Sequence, residues 1–436
     1  MNKIKINKIK QRFDVKVDLP ASKSIMLRDL FLAALAQGRS LIKNFENSLD
    51  CVVMKQALLK LGVKITDQNG QAIKILGKAG KFSHTKKRIF CGGSGVSARL
   101  LMALSLLRSG KTVLSGNQSL KNRPQHYLIK AIQELGAQVK APKPGFLPLE
   151  VTGGANGKNM VKLKGDVSSQ YFTALLMIAP LLAKGLVIKV IKELVSKPYI
   201  DITLAEMKKF GPTVKNLNYQ TFIVKPGKYQ AVDLTVEADA SAASYFMAMA
   251  TLHGGKITMT NLGKNSQQGD LNFFKICEKL GAKLELKQKS ITITGKKTKK
   301  LKLLKKPVDM EAIPDTAPTL MAMAPFIPGG VTIINIGTLK HKECDRIEAP
   351  ARELKKLGVA VKTGKDYIKI QHKKNWDKSK INNIALDTYD DHRMAMSLAV
   401  LASNIGDIAI NDPKCVDKTF PGFWRELKKL YQITKK

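Results

Sequence analysis

Several short stretches combine cations, carboxylates and hydroxyls at spacings that could do chemistry. "HKECDRIEAP" (341–350) places Lys342, Glu343, Asp345 and Arg346 within five residues. These could form only a salt-bridged turn, or Lys342 and Arg346 could hold an anion while Glu343 moves protons. In "AIPDTAPTL" (312–320), Asp315 reads as a helix N-cap or as a general base among cations. "YDDHRMAM" and "DPKCVDKTFPGF" contribute Arg393 and Lys418, which rank above the adjacent His392. "GDVSSQ" (165–170) offers Ser168, Ser169 and Gln170 either as a capping group or as a phosphate cradle. In "GGSGVSAR" (92–99), Gly93 and Gly95 let the backbone approach an anion closely, and "KNRPQHYL" sets Arg123 before a proline at a helix start.

"ASKSIMLRDLFLAALAQG" (21–38) sharpens the question of what these groups bind. It reads as a helix whose start carries Lys23 and Arg28 with no acid before Asp29. A helix N-terminus already bears about half a positive charge, so cations there call for an anion. Arginine use points the same way. Only eleven of the 74 basic residues are Arg, and Arg28, Arg99, Arg123, Arg346 and Arg393 all fall in these motifs. A planar guanidinium fork suits carboxylate and phosphate.

The elements that position these groups repeat. An apolar, Ala-rich helix followed by Gly and a β-like run occurs six times, with Gly38, Gly110, Gly185, Gly255, Gly330 and Gly406 marking the helix ends. A second helix with its own Gly (Gly62, Gly136, Gly211, Gly281, Gly358) recurs between them. The expectation is six helix–strand–helix–strand units of roughly 73 residues, three around each of two cores. The Ala-rich helices are apolar nearly all round and should be buried, and the polar motifs sit at their N-termini. Six such ends converging on one cleft would make an anion site.

Composition excludes other classes. With 436 residues, two domains are expected. The longest apolar run, "FTALLMIAPLLA" (172–183), is too short for a membrane span, and the alternating Lys/Ile N-terminus is no secretory signal but a strand with one wet face. Five scattered cysteines and six scattered histidines predict free thiols in a reducing cytoplasm and no metal site. A formal charge of +40 raises a nucleic-acid reading, yet Lys is spread along nearly every segment and aromatics are only 6%, without stacking motifs. Solvated Lys-rich faces account for the charge.

Taken together, "LPASKSIMLR", "SGVSARLL", "RPQHYLIKAIQELGAQV", "GDVSSQYFTALLM", "ELVSKPYIDITLAEMKKFG", "DASAASYFMA", "NSQQGD", "IPDTAPTL", "KECDRI", "YDDHRMAM" and "DPKCVDKTFPGFW" resemble, in order and over nearly the whole chain, the EPSP synthase (3-phosphoshikimate 1-carboxyvinyltransferase) family of enolpyruvyl transferases. The resemblance implies two inverse α/β-barrel-like domains of three repeats each, joined by a two-strand hinge and closing over the substrates. Residues 21–236 would form one, and 1–20 with 237–436 the other. It implies transfer of enolpyruvyl from phosphoenolpyruvate to the 5-hydroxyl of shikimate 3-phosphate by a cytoplasmic monomer, without cofactor or metal.

By motif match, Lys23, Ser24, Arg28, Ser168, Ser169, Gln170, Ser196, Asp315, Thr338 and Lys342 would bind shikimate 3-phosphate. Lys23, Gly95, Arg123, Gln170, Arg346, Arg393 and Lys418 would surround phosphoenolpyruvate. Asp315 would take the hydroxyl proton, Glu343 would protonate the methylene, and Lys23 would complete the catalytic set. Gly93, Val96, Thr338 and Asp390 depart from the commonest family pattern, which bears on affinity and inhibitor response. The related transferase acting on UDP-N-acetylglucosamine is the nearest alternative, but Cys91 precedes the Gly-rich turn on which that enzyme carries its cysteine. An RNA-binding module is the alternative of another class.

Overall fold

The computed structural model describes residues 3–82, 88–296, 301–381 and 384–431. The chain divides into two compact units. One is continuous, Ala21–Glu237, and the other is discontinuous, Met1–Pro20 with Ala238–Lys436. Each has its own apolar core.

In the continuous unit the apolar, Ala-rich runs form helices α1 (Lys23–Leu35), α3 (Gly95–Leu104) and α4 (Ser169–Ile178). Helices α2 (Leu49–Lys60) and α5 (Lys197–Lys209) belong to the second helix type. In the discontinuous unit the corresponding Ala-rich helices are α6 (Ala240–His253), α7 (Ala317–Met323) and α8 (His392–Ile405). Small and apolar residues on every face let α1 bury Ile25 through Leu35 without a break, and every residue of α6 is buried.

Five of the six sheets among the described residues have four strands, where the sequence periodicity suggests two per repeat. The run after α2 is a hairpin, Lys64–Gln68 and Ala72–Leu76, turned at Asn69-Gly70 with both residues at positive φ. Arg39–Lys43 pairs antiparallel with Ala72–Leu76 on one side and parallel with Leu234–Thr235 on the other. The same four-strand order recurs in four further sheets. The sixth sheet has three strands. Its main strand, Ile408–Asn411, takes the N-terminal Lys3–Ile6 as its antiparallel partner where the other repeats use a hairpin. Meanwhile Asp14–Val17 supplies the parallel strand beside Lys256–Thr260. The last strand of the continuous unit thus completes its first sheet, and the N-terminal segment completes two sheets of the other.

The repeat glycines mostly take the left-handed conformation expected past a helix end. At the fourth repeat the role shifts by one residue. Gly254 is the left-handed cap at φ 68°, and Gly255 is needed for space, since a Cβ there would meet the Phe13 ring at 2.2 Å.

A buried carboxyl pair between α1 and α5 gives a stability prediction. Burial first, then the neighbouring Glu206 carboxyl from α5, pushes the Asp29 carboxyl well above its usual range. Between its unfolded and its raised folded-state pKa such a carboxyl holds more proton in the folded chain than in the unfolded one, so stability falls as pH rises through that range. Asp29→Asn is therefore expected to stabilise the protein at pH 8 by about 1–3 kcal/mol, with a smaller gain at pH 5. Urea unfolding at both pH values reads the difference; an equal gain at both would mean Asp29 is not the titrating group.

Candidate active site

In the continuous unit, Ser22 caps α1, accepting from Ile25 N–H at 3.5 Å, and Lys23 is the first helical residue. Its ammonium lies 3.7 Å from Asp50 in the first turn of α2, so one cation at this helix start has an internal counter-charge. Arg28 lies not in the first turn but in the second, almost wholly buried. Its donors go to Thr203 Oγ1 (2.9 Å), the Ser24 carbonyl (2.6 Å), Thr173 Oγ1 (3.4 Å) and the Tyr199 carbonyl (3.1 Å). Burial lowers its pKa to about 10, partly offset by Glu206. These bonds tie α1 to α4 and α5 and leave the guanidinium among neutral acceptors.

Ser168 caps α4, accepting from Gln170 N–H at 3.3 Å, and Ser169 is buried beside it. Gln170 Oε1 takes a hydrogen bond from Arg99, whose Nε donates to Gln125 at 3.0 Å and whose guanidinium stacks on Tyr171 at 4.9 Å. A Cβ at Gly95 would stand 3.2 Å from both Arg123 Nη1 and Arg99 Nη1 and 3.5 Å from Gln170 Oε1. Gly95 is therefore the open wall of a small cradle lined by two guanidiniums and an amide. Ser196 enters α5 in the left-handed region at φ 55°, a strained conformation for a residue with a Cβ.

The discontinuous unit holds a denser cluster. Asp315 does not cap α7; it sits in the 3-10 turn Pro314–Thr316 just before that helix. Its oxygens accept from Lys342 Nζ (3.1 Å), Arg346 Nη1 (3.3 Å) and Arg393 Nη2 (2.8 Å). Local sequence suggested a cap because Asp before a helix commonly caps; here the three cations, drawn from two other segments, take its acceptors. Glu343 lies between Arg346 Nη2 (2.7 Å) and Lys418 Nζ (2.6 Å). Burial lowers the Lys342 pKa, with Asp315 opposing. Thr338 lies on the turn Gly337–His341 and takes no part in the bonds just described.

The residues that sequence reasoning passed over are mostly the ones holding these groups in place. Asp391 caps α8 through Arg393 N–H (2.9 Å) and grips Arg346 with both oxygens, at 2.7 and 3.0 Å. Asp50, Ser241 and Asp270 belong with it. For Asp391 a signal existed, since Asp before a helix-starting His-Arg is a cap pattern. For the others the partner lies 27 to 29 residues away in sequence and leaves no local mark.

Four cations set against Asp315 and Glu343 make a site that attracts anions and keeps two carboxylates positioned for proton transfer. The arrangement, and the six-repeat fold that carries it, define an α/β protein of the enolpyruvyl transferase class. The fold is similar to that of an EPSP synthase from Acinetobacter baumannii, with a TM-score of 0.81 at 24% identity over 99% of this chain and 98% of that one. The EPSP synthase (3-phosphoshikimate 1-carboxyvinyltransferase) family profile matches residues 7–427. The 3-phosphoshikimate 1-carboxyvinyltransferases of Sulfurovum sp. (strain NBC37-1) and Colwellia psychrerythraea are similar at 39% and 40% identity, over 99% and 98% of this chain and 99% of each relative. The chain belongs to the EPSP synthase family.

Among the described residues no helix is long and apolar enough to cross a membrane.

Proposed function

We propose that the chain transfers the enolpyruvyl group of phosphoenolpyruvate to the 5-hydroxyl of shikimate 3-phosphate, releasing inorganic phosphate. The observation that carries the reading is the pair of carboxylates, Asp315 and Glu343, each held by named cations in a member of this family.

Asp315 takes the proton of the 5-hydroxyl as that oxygen bonds to C2 of phosphoenolpyruvate. Glu343 gives a proton to C3, which becomes a methyl group and leaves a tetrahedral adduct still carrying phosphate. Loss of one methyl proton and of the phosphate then forms the enol ether. Glu343 lies 2.7 Å from Arg346 and 2.6 Å from Lys418, so an anion held by those two cations lies beside the carboxyl that acts as the acid.

Lys23, Ser24, Arg28, Ser168, Ser169, Gln170, Ser196, Thr338 and Lys342 hold shikimate 3-phosphate together with Asp315. Lys23, Gly95, Arg123, Gln170, Arg346, Arg393 and Lys418 hold phosphoenolpyruvate. The protein acts as a monomer in the cytoplasm, where its five free thiols stay reduced; light scattering of a dimer mass would overturn the monomer.

Phosphate release by the purified protein, with each substrate omitted in turn, tests the reaction. Release that needs both is expected, and release without shikimate 3-phosphate would sink the assignment. Gly95→Ala fills the cradle beside Arg99, Arg123 and Gln170. It is expected to raise KM for phosphoenolpyruvate about ten-fold, the cost of one displaced charge-assisted hydrogen bond, with KM for shikimate 3-phosphate little changed.

A further inference from the structure

We infer that Asp270 is a positioning residue for the reaction: through the hydroxyl of Ser241 it fixes the direction of the Arg393 guanidinium, and so sets the affinity for the anion that Arg393 holds. The inference rests on the assignment of Arg393 to phosphoenolpyruvate made above.

The geometry is a chain of buried contacts. Ser241 Oγ donates a hydrogen bond to Asp270 Oδ2. Ser241 Oγ also lies 3.3 Å from Arg393 Nη2, the nitrogen that donates to Asp315 at 2.8 Å. Arg393 Nη1 reaches Tyr245 OH at 3.5 Å. A hydroxyl has one proton and two lone pairs. With its proton committed to Asp270, Ser241 can meet the guanidinium only as an acceptor. Without that acceptor behind it, the hydroxyl rotates freely and can turn its own proton toward a donor.

The segment bearing Asp270 is itself pinned to the start of α6. Gln268 accepts from Ala240 N–H (3.1 Å) and donates to the Ala238 carbonyl (2.8 Å). Asp270, Ser241 and Gln268 are all buried, so water does not substitute readily for a lost partner.

Charge reinforces the geometry. The groups facing Asp270 are Asp239 at the α6 cap, Asp315 from the 3-10 turn and Arg393 from α8. Burial, then Asp315, pushes its carboxyl up to about 6, with Arg393 and the Ser241 hydrogen bond opposing. Above that pH Asp270 is ionised and Ser241 is held as an acceptor. As pH falls through it, the carboxyl gains a proton and the hold on Arg393 weakens. Phosphate esters also titrate near pH 6, so only the difference between parent and variant reports Asp270.

The test compares Asp270→Ala, Asp270→Asn and the parent in steady-state phosphate release from pH 5 to 8. In Asp270→Ala, KM for phosphoenolpyruvate is expected to rise about ten-fold at pH 7.5, the loss of one hydrogen bond oriented on a charged group. The change in KM for shikimate 3-phosphate should stay within about two-fold. Asp270→Asn keeps one acceptor oxygen for Ser241, as the protonated carboxyl does, so it should match the parent near pH 5, give a KM between those of the parent and Asp270→Ala at pH 7.5, and lose the parent's extra rise in KM below pH 6. If Asp270→Ala does not fold, Ser241→Ala cuts the same link and is expected to show the same KM rise. Unchanged KM for phosphoenolpyruvate in a folded variant, an equal rise for both substrates, or an asparagine variant as impaired as the alanine one would overturn the inference. Calorimetric titration of phosphoenolpyruvate with shikimate 3-phosphate left out reads its affinity without turnover. Equal affinities for parent and Asp270→Ala overturn the inference there too, whereas a parent without phosphate release overturns the proposed reaction instead.

Discussion

Asp315→Asn is expected to lower kcat by about a thousand-fold, within the range that a positioned general base supplies, while the chain stays folded and KM for phosphoenolpyruvate does not rise. The carboxylate accepts from Lys342, Arg346 and Arg393 at 2.8 to 3.3 Å. Asparagine keeps the shape and one acceptor oxygen, but its amide nitrogen must then face a cation that also donates. The base is lost, and three cations lose a counter-charge. Uncompensated cations bind an incoming anion no less tightly, so the defect should fall on kcat. Steady-state phosphate release with both substrates varied makes the separation. A kcat within ten-fold of the parent would show that another group removes the hydroxyl proton.

That prediction depends on where Asp315 sits, and its position shows how far local pattern carries. The six Ala-rich helices were legible because an all-round apolar face has one stable location, the interior. The glycines marked their ends because few other residues take a positive φ cheaply. The hairpins were hidden because each strand is only three to five residues long and the pair reads as one β-rich run, although Asn69-Gly70 marks a turn. Asp315 itself was legible as an important acid, but its role as acceptor for Lys342, Arg346 and Arg393 was not, because those cations follow it by 27, 31 and 78 residues.

The opening puzzle of α1 resolves by the same rule. Lys23 is matched to Asp50 of α2, and Arg28 is absorbed by carbonyls and hydroxyls of α4 and α5 and their approaches. Sequence showed the excess of positive charge at that helix start. It did not show which part is neutralised within the protein, since Asp50 lies 27 residues beyond Lys23 and most acceptors of Arg28 lie 145 or more residues beyond it.

Arg346→Met should be the most destabilising single change in the discontinuous unit, at about 3–5 kcal/mol, the usual loss when one partner of a buried ion pair is removed. Arg346 and Asp391 have side-chain exposures of 1% and 0%, and the fork closes on the carboxylate through Nε and Nη2. Burial by itself would lower the pKa of Arg346, and Asp391, Glu343 and Asp315 together raise it above its usual value. Removing the guanidinium leaves Asp391 buried without its main counter-charge at the cap of α8, the helix that carries Arg393. Adding Asp391→Asn to Arg346→Met removes the orphaned charge while keeping an oxygen for the cap. The double variant is therefore expected to recover more than half of the loss, since the larger part of the cost lies in the abandoned charge rather than in the lost contact. Urea unfolding of the parent, Arg346→Met and the double variant separates the two contributions. No recovery in the double variant would place the cost in the other bonds of Arg346, to Glu343 and Asp315, and make that fork chiefly a catalytic arrangement.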